Sequence, residues 1–314
     1  MVKKNVYLIT GSEGFIGKNL VSFALDNNYS FYAPKLSQLD LLNSTQVKHY
    51  LTGKNITHCI HSATTLRNGT NYPKDVCEQN LRMFFNLEKY LTAETKLINF
   101  GSGSEYNREN WVPLMNEEYF DNFIPTDSHS YAKYIISKYI KDSKNQRDMT
   151  TFRIFGIFGE GEDYKYKFIS NVIAKSLCMI KPIINQDAFY DYIDIKDFCK
   201  LCFILCNNPK TYGNNSINIC TSRPILLSTL TEKINLVLGI DIKNYSIKNK
   251  SLGREYSGDN TIMQNLLDEN FNFNEVDISI KRLIDYYKSI SENIDKKELL
   301  KDSFLDYAKT IMRK

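Results

Sequence analysis

No stretch of the 314-residue chain approaches the roughly 18 consecutive apolar residues of a membrane-spanning helix, so no span is expected. The opening Met1-Val-Lys-Lys leads directly into an apolar strand, so no signal peptide is expected. Cysteine shows no pairing pattern: the seven thiols are odd in number and scattered, as in a reducing compartment, and a cytoplasmic location is expected. Cys199, Cys202 and Cys206 contain a C-x-x-C, but their i, i+3, i+7 spacing is one apolar helical stripe with no second Cys/His pair nearby, so no metal is expected. His49, His58 and His61 lack the H-E-x-x-H spacing of a zinc helix and read as structural. A net charge of +4, with Lys interleaved among Asp and Glu, is too mild for a nucleic-acid binder. No internal repeat, low-complexity tract or long linker divides the chain.

What is present begins at Leu8-Ile-Thr-Gly11-Ser-Glu-Gly14-Phe-Ile-Gly17, which follows an apolar strand and opens an amphipathic helix. Three glycines at G-x-x-G-x-x-G let the backbone turn tightly, approach a pyrophosphate and pack helix on strand, with the helix N–H groups facing the phosphates. This is a dinucleotide-binding pattern, with Phe15 and Ile16 in its wall. Apolar strand patterns then recur at residues 31–33, 58–63, 96–101 and from 150, separated by helical patterns at 76–92 and 131–144. The succession predicts an α/β fold, a Rossmann-type doubly wound parallel sheet with right-handed crossovers. Ligands on such a sheet sit outside the strands' carboxyl ends, so Ala63–Thr65, Gly101–Tyr106 and Phe155–Gly161 should converge on one crevice. Residues 1–160 form the expected dinucleotide domain. Residues 161–314 form a smaller, mixed substrate lobe, with some segments returning to the sheet.

The chain resembles the extended short-chain dehydrogenase/reductases that act on nucleotide sugars, over nearly its whole length. Besides the glycine loop, the resemblance rests on Asp40-Leu-Leu, Ile60-His-Ser-Ala63, Asn80, Ser102 four before Tyr106, Arg153-Ile-Phe-Gly-Ile-Phe-Gly159, Asp191-Tyr-Ile-Asp-Ile-Lys-Asp197 and Asn218-Ile-Cys-Thr-Ser-Arg-Pro224. It implies that Asp40 and Leu41 lie at the adenine, that Ala63 lines the nicotinamide ribose, and that Asn80 supports the active-site helix. It also implies a homodimer formed by the helices carrying Asn80 and Lys133, for which Phe84, Phe85, Ile136 and Ile140 offer apolar positions.

Between Tyr29 and Gln38 there is no acid to hold a ribose 2′-OH, and Lys35 favours a 2′-phosphate, hence NADPH over NAD. Glu13 in the glycine loop opposes this unless it points away. Family catalysis uses a Ser/Thr hydroxyl and a Tyr-x-x-x-Lys pair. Ser102 fills the hydroxyl place. A literal pair exists at Tyr134 and Lys138, but the family pattern maps better onto His129-Ser-Tyr-Ala-Lys133, which puts histidine where tyrosine is expected. The preferred set is therefore Ser102, His129 and Lys133, with Lys133 also on the cofactor ribose and Tyr131 as a possible helper. A free imidazole would titrate near neutrality, opposed here by Lys133.

The residues after Ser102 narrow the reaction. Family dehydratases carry Asp-Glu there; this chain has Gly103 and Ser104, with Glu105 out of register. The GDP-fucose synthase branch places a cysteine at Ser104 and a histidine near Lys167, and neither is present. Reduction remains, of the kind performed by C4-reductases on 4-keto-6-deoxy sugar nucleotides. The alternatives are an NAD-dependent 4-epimerase and a non-catalytic sugar-nucleotide binder. Ser104, Lys165, Lys167 and Arg254 are the candidate substrate contacts, the cations facing a diphosphate.

Overall fold

The computed structural model describes residues 4–143, 147–213, 215–267 and 271–312. Its first half alternates β1 (Val6–Thr10), α1 (Phe15–Asp26), β2 (Ser30–Tyr32), α2 (Ser44–Leu51), β3 (His58–His61), α3 (Val76–Tyr90), β4 (Lys96–Ser102), α4 (Ser128–Asp142) and β5 (Met149–Ile154). The second half continues with β6 (Gly156–Phe158), α5 (Phe168–Leu177), β7 (Ile183–Gln186), β8 (Phe189–Tyr190), β9 (Tyr192–Asp194), α6 (Ile195–Asn207) and β10 (Ser216–Ile219). It closes with β11 (Ile225–Leu226), α7 (Leu227–Leu238), β12 (Ser246–Asn249), α8 (Thr261–Gln264), α9 (Val276–Ser289), α10 (Lys296–Lys301) and α11 (Ser303–Met312).

Six strands form one parallel sheet in the order β2-β1-β3-β4-β5-β10. Because both faces are covered by helices, the strands read as near-continuous apolar runs such as Tyr7-Leu8-Ile9 and Leu97-Ile98, all buried. The chain leaves β1 toward β2 and returns on the other side to β3, pairing Thr10 with His61. That reversal opens the crevice in which such sheets bind ligands. The fold is a Rossmann-type α/β sheet.

Helix α6 packs with α1 on this sheet, and Cys199, Cys202 and Cys206 lie in its buried core. Strand β10 completes the sheet edge beside β5. A second core gathers α5, α7 and α9 around Phe168, Ile173, Leu230, Ile284 and Tyr287. His58 and His61 are buried inside β3, His58 stacked on Tyr7 and His61 bonded to Thr10.

Two expectations change. Helix α4 starts at Ser128, ahead of the apolar pattern at 131, because Asp127 accepts the Ser130 N–H at 2.9 Å as an N-cap. Residue 144, where that pattern ends, lies outside the described residues. Phe84, Ile136 and Ile140 are not surface positions: all three are buried where α3 and α4 pack against the sheet, and Phe85 is partly buried beside them. Their apolar stripes are used by the protomer's own core. Among the described residues, no helix is long and apolar enough to cross a membrane.

Candidate active site

At the carboxyl end of β1, Gly11 has φ +65°, and a Cβ there would sit 2.8 Å from the Ala63 backbone. A Cβ on Gly17 would lie 2.0 Å from the Gly11 carbonyl oxygen. Only glycine permits both approaches. Gly14 turns the loop by donating its N–H to Gly11 O at 3.0 Å, and α1 then begins at Phe15 and Ile16 with no side-chain cap and no acid in its first turn. The helix N–H groups are left for an anion, so the residues present fit a dinucleotide pyrophosphate.

Around this loop, Ser12 donates to Pro34 O at 2.8 Å, and the Glu13 carboxylate accepts the Leu36 N–H at 2.8 Å. Glu13 thus turns onto the segment after β2, beside exposed Lys35. Asp40 is half-buried and accepts the Leu42 N–H at 2.9 Å, while Leu41 is buried beneath it. Ala63 donates its N–H to Thr10 Oγ1 at 3.3 Å. Asn80 is buried, and its oxygen accepts from Thr64 Oγ1 at 3.1 Å and Thr65 N–H at 2.9 Å. Those bonds tie α3 to the loop after β3; among the described residues the Asn80 Nδ2 is buried without a hydrogen-bond partner.

Ser102 ends β4. Its backbone N–H donates to Glu105 Oε1 at 2.8 Å, and its Oγ accepts from Ser104 N–H at 3.2 Å and Ser104 Oγ at 3.1 Å. Glu105 is fully buried and paired to fully buried Arg153 at 2.9 Å, away from the crevice. His129, in the first turn of α4, stacks on Tyr72 with 4.2 Å between ring centres and 6° between planes. Its Nδ1 is buried with no hydrogen-bond partner. Burial first, then the charges of Lys133, Arg67, Arg108 and Lys167, hold its pKa well below the usual imidazole range. The ring is therefore neutral at neutral pH, and the ionisation near pH 7 of a free imidazole is not expected of it. Lys133, one turn on, donates to Phe100 O of β4 at 2.7 Å, and burial lowers its pKa.

Tyr134 points the other way: its hydroxyl bonds Asp121, which also pairs with Lys138 at 2.7 Å. Tyr131 is exposed over less than half its surface, stacks on Tyr134 and does not line the cavity.

Ser102, Ser104 and His129 face a cavity of about 270 Å³ lined by aromatic side chains, including Trp111 and Tyr256. Among the described residues its cations are Arg67, Arg108 and Lys167, and its one carboxylate is Glu162. Lys165 and Arg254, proposed from sequence as diphosphate partners, do not line it; Arg254 instead donates to the Arg108 carbonyl at 3.4 Å. Sequence reasoning missed Arg67, Arg108, Glu162 and Tyr256. Glu162 is buried, accepts from Ser170 Oγ at 2.6 Å, and its pKa is pushed up to about 7 by burial, partly offset by Lys167. Arg67 lies 3.9 Å from the ring centre of Tyr307 on α11 and 4.8 Å from that of Tyr72, which continues the stack to His129.

Comparison with known proteins agrees with this geometry. The chain is 23% identical over 284 residues to the GDP-6-deoxy-D-talose 4-dehydrogenase of Aggregatibacter actinomycetemcomitans, covering 86% of this chain and 93% of that protein. It is 24% identical over 280 residues to the GDP-L-colitose synthase of Yersinia pseudotuberculosis, covering 82% and 90% respectively. The fold matches the NADP-bound GDP-mannoheptose C4 reductase of Campylobacter jejuni with a TM-score of 0.74 at 18% identity, covering 92% of this chain and 99% of the other. Residues 7–220 match the profile of the NAD dependent epimerase/dehydratase family, and with the glycine cradle and Ser102 at the same crevice, the chain belongs to that family of nicotinamide-dependent enzymes.

Proposed function

We propose that this protein is a cytoplasmic, NADPH-dependent C4 keto-reductase of a 4-keto-6-deoxy nucleotide sugar. The observation that carries the reading is the set of groups around Ser102. Glu105 turns away to Arg153, so the end of β4 offers the cavity the hydroxyl-bearing Ser102 and Ser104 but no carboxylate to dehydrate a sugar. Three cations against one carboxylate suit a diphosphate. The names of the relatives, which act on GDP-sugars or reduce at C4, support the same class.

Gly11, Gly14, Phe15, Ile16 and Gly17 would hold the cofactor pyrophosphate, Asp40 and Leu41 the adenine end, and Ala63 and Lys133 the nicotinamide ribose. Lys35 would take the 2′-phosphate, with the Glu13 charge occupied in part by the Leu36 N–H. Bound there, the dinucleotide supplies a hydride. Ser102 and neutral His129 hold the keto oxygen by hydrogen bonds that strengthen as it gains charge. Lys167 and Ser104 contact substrate. Residues 1–160 serve the dinucleotide and 161–314 mainly the sugar. Two copies associate through α3 and α4.

The test uses NADPH deuterated at the transferable position: the product sugar should carry deuterium at C4. A second reading, an NAD-dependent 4-epimerase, is favoured by the Glu13 carboxylate beside Lys35. It would give exchange of the C4 substituent's stereochemistry with no net consumption of NADPH.

A further inference from the structure

An imidazole that holds a keto oxygen must itself be held. Its χ2 torsion is broad, so the ring swings unless something fixes it, and most often a hydrogen bond at one ring nitrogen sets the other. Among the described residues, His129 has no such bond at its buried Nδ1. What it has is a face: the Tyr72 ring lies parallel to it within 6°, at 4.2 Å between ring centres.

Tyr72 is placed by a short turn in the loop after β3. Asn68 and Asn71 exchange backbone hydrogen bonds at 2.9 and 3.4 Å around Gly69, whose φ of +64° suits the first position of a two-residue hairpin turn. Arg67 and Tyr72 flank that closed pair and stand opposite each other, which brings the guanidinium to 4.8 Å from the Tyr72 ring centre. The same guanidinium lies 3.9 Å from the ring centre of Tyr307 on α11 and donates to the Tyr307 hydroxyl. Helix α11 is a fixed support. Asp302, just before it, pairs with buried Lys175 at 2.7 Å and accepts the Leu305 N–H at 3.2 Å, while Leu305 and Ala308 are buried. Tyr166 meets Tyr307 edge-on at 6.5 Å. A series of contacts through Tyr307, Arg67 and Tyr72 thus joins α11 to His129, and all four side chains line the cavity.

We propose that Tyr72 is a positioning residue of the reduction: braced by Arg67 and Tyr307, it fixes the plane of the His129 ring so that an imidazole N–H meets the keto oxygen beside Ser102. The proposal rests on the keto-reductase reading above and deepens it. Helix α11 then completes the catalytic geometry without supplying a group to the chemistry. Arg67 carries five N–H donors, so its bond to Tyr307 leaves others for the substrate diphosphate. For that reason the test leaves Arg67 in place.

Tyr72→Leu removes the ring face, and Tyr72→Phe keeps it. Tyr72→Leu should lower kcat by about 100-fold, the cost of a reacting group displaced by about 1 Å, with KM and the calorimetric affinity for NADPH little changed. Tyr72→Phe should recover most of that loss. Tyr307→Ala should lower kcat by a smaller factor, again at constant KM, and combining it with Tyr72→Leu should cost nothing further, because both act through one ring. A readout apart from turnover is the NMR spectrum of histidine-labelled protein, which has only four histidines to assign. The carbon-bound ring protons of His129, shielded by the Tyr72 face, should move downfield in Tyr72→Leu and stay in place in Tyr72→Phe. An unmoved His129 resonance in Tyr72→Leu overturns the proposal, and so does a raised KM at unmodified kcat, which would make Tyr72 a substrate contact. Should Tyr72→Leu fail to fold, Tyr307→Ala decides: a shifted His129 resonance with lowered kcat supports the brace, and unmodified values of both overturn it. Resonances that shift as expected in a protein that reduces no keto-sugar nucleotide overturn the keto-reductase reading and leave the brace on His129 standing.

Discussion

Glu105 and Arg153 form an ion pair at 2.9 Å with both side chains fully buried, and the free oxygen of Glu105 accepts the backbone N–H of Ser102 at 2.8 Å. The hydroxyl at the end of β4 is thereby fixed from behind by a charge pair that never meets substrate. Arg153 also donates to Tyr106 at 2.9 Å and Ser216 at 3.1 Å, which ties β5 and β10 to the same turn. Removing one partner of such a pair strands the other charge. Arg153→Met should cost about 3–5 kcal/mol in urea unfolding, while Glu105→Gln, which keeps an acceptor for Ser102, should cost less.

Glu162 makes stability depend on pH. Its native pKa of about 7 lies above that of an unfolded glutamate, so the native state holds a proton the unfolded chain has lost. The contribution is fully present below about pH 4.5 and is lost as pH rises through 7. Glu162→Gln keeps an acceptor for Ser170 and removes the titration. Its stability relative to the unmodified protein should rise between pH 5 and pH 7.5, by up to about 3 kcal/mol. Unfolding midpoints that run parallel across that range contradict this.

Lys35 sets the cofactor preference in this account. The unmodified protein should bind NADPH more tightly than NADH, and Lys35→Ala should narrow the difference by about 1–3 kcal/mol in calorimetry, the value of a charged hydrogen bond. Equal affinities before mutation would place the weight on Glu13 instead.

The two helix registers separate cleanly. His129→Phe should remove most activity, because it takes an N–H from the keto oxygen. Tyr134→Phe should leave turnover nearly intact and cost about 1 kcal/mol of stability, the bond to Asp121 being far from the cavity. The rate profile should show no inflection from His129 between pH 6 and 8, since burial and four nearby cations hold its pKa below that window.

Legibility followed the range of the interaction. Glycine spacing, strand runs and the caesura after β4 are local, so Gly11, Ser102 and the parallel sheet were readable from neighbouring residues. The stripe of Phe84, Ile136 and Ile140 was equally visible, but a stripe does not say which partner covers it; here it is the protomer's own core. Arg67, Arg108 and Tyr256 come from separate loops that only the folded topology brings together, and nothing in their local sequence marks them. Surface cations carry the same ambiguity in reverse: Lys165 and Arg254 look like Lys167 in sequence, yet only Lys167 reaches the cavity.

The central claim is hydride delivery to a keto-sugar nucleotide, and nicotinamide absorbance follows it directly. Purified protein with NADPH is titrated with GDP-, CDP- and dTDP-linked 4-keto-6-deoxy sugars. The account predicts loss of absorbance equal, mole for mole, to one added substrate and abolished in Ser102→Ala. Constant absorbance with every substrate, together with inverted C4 stereochemistry in a 4-hydroxy sugar nucleotide, would contradict it.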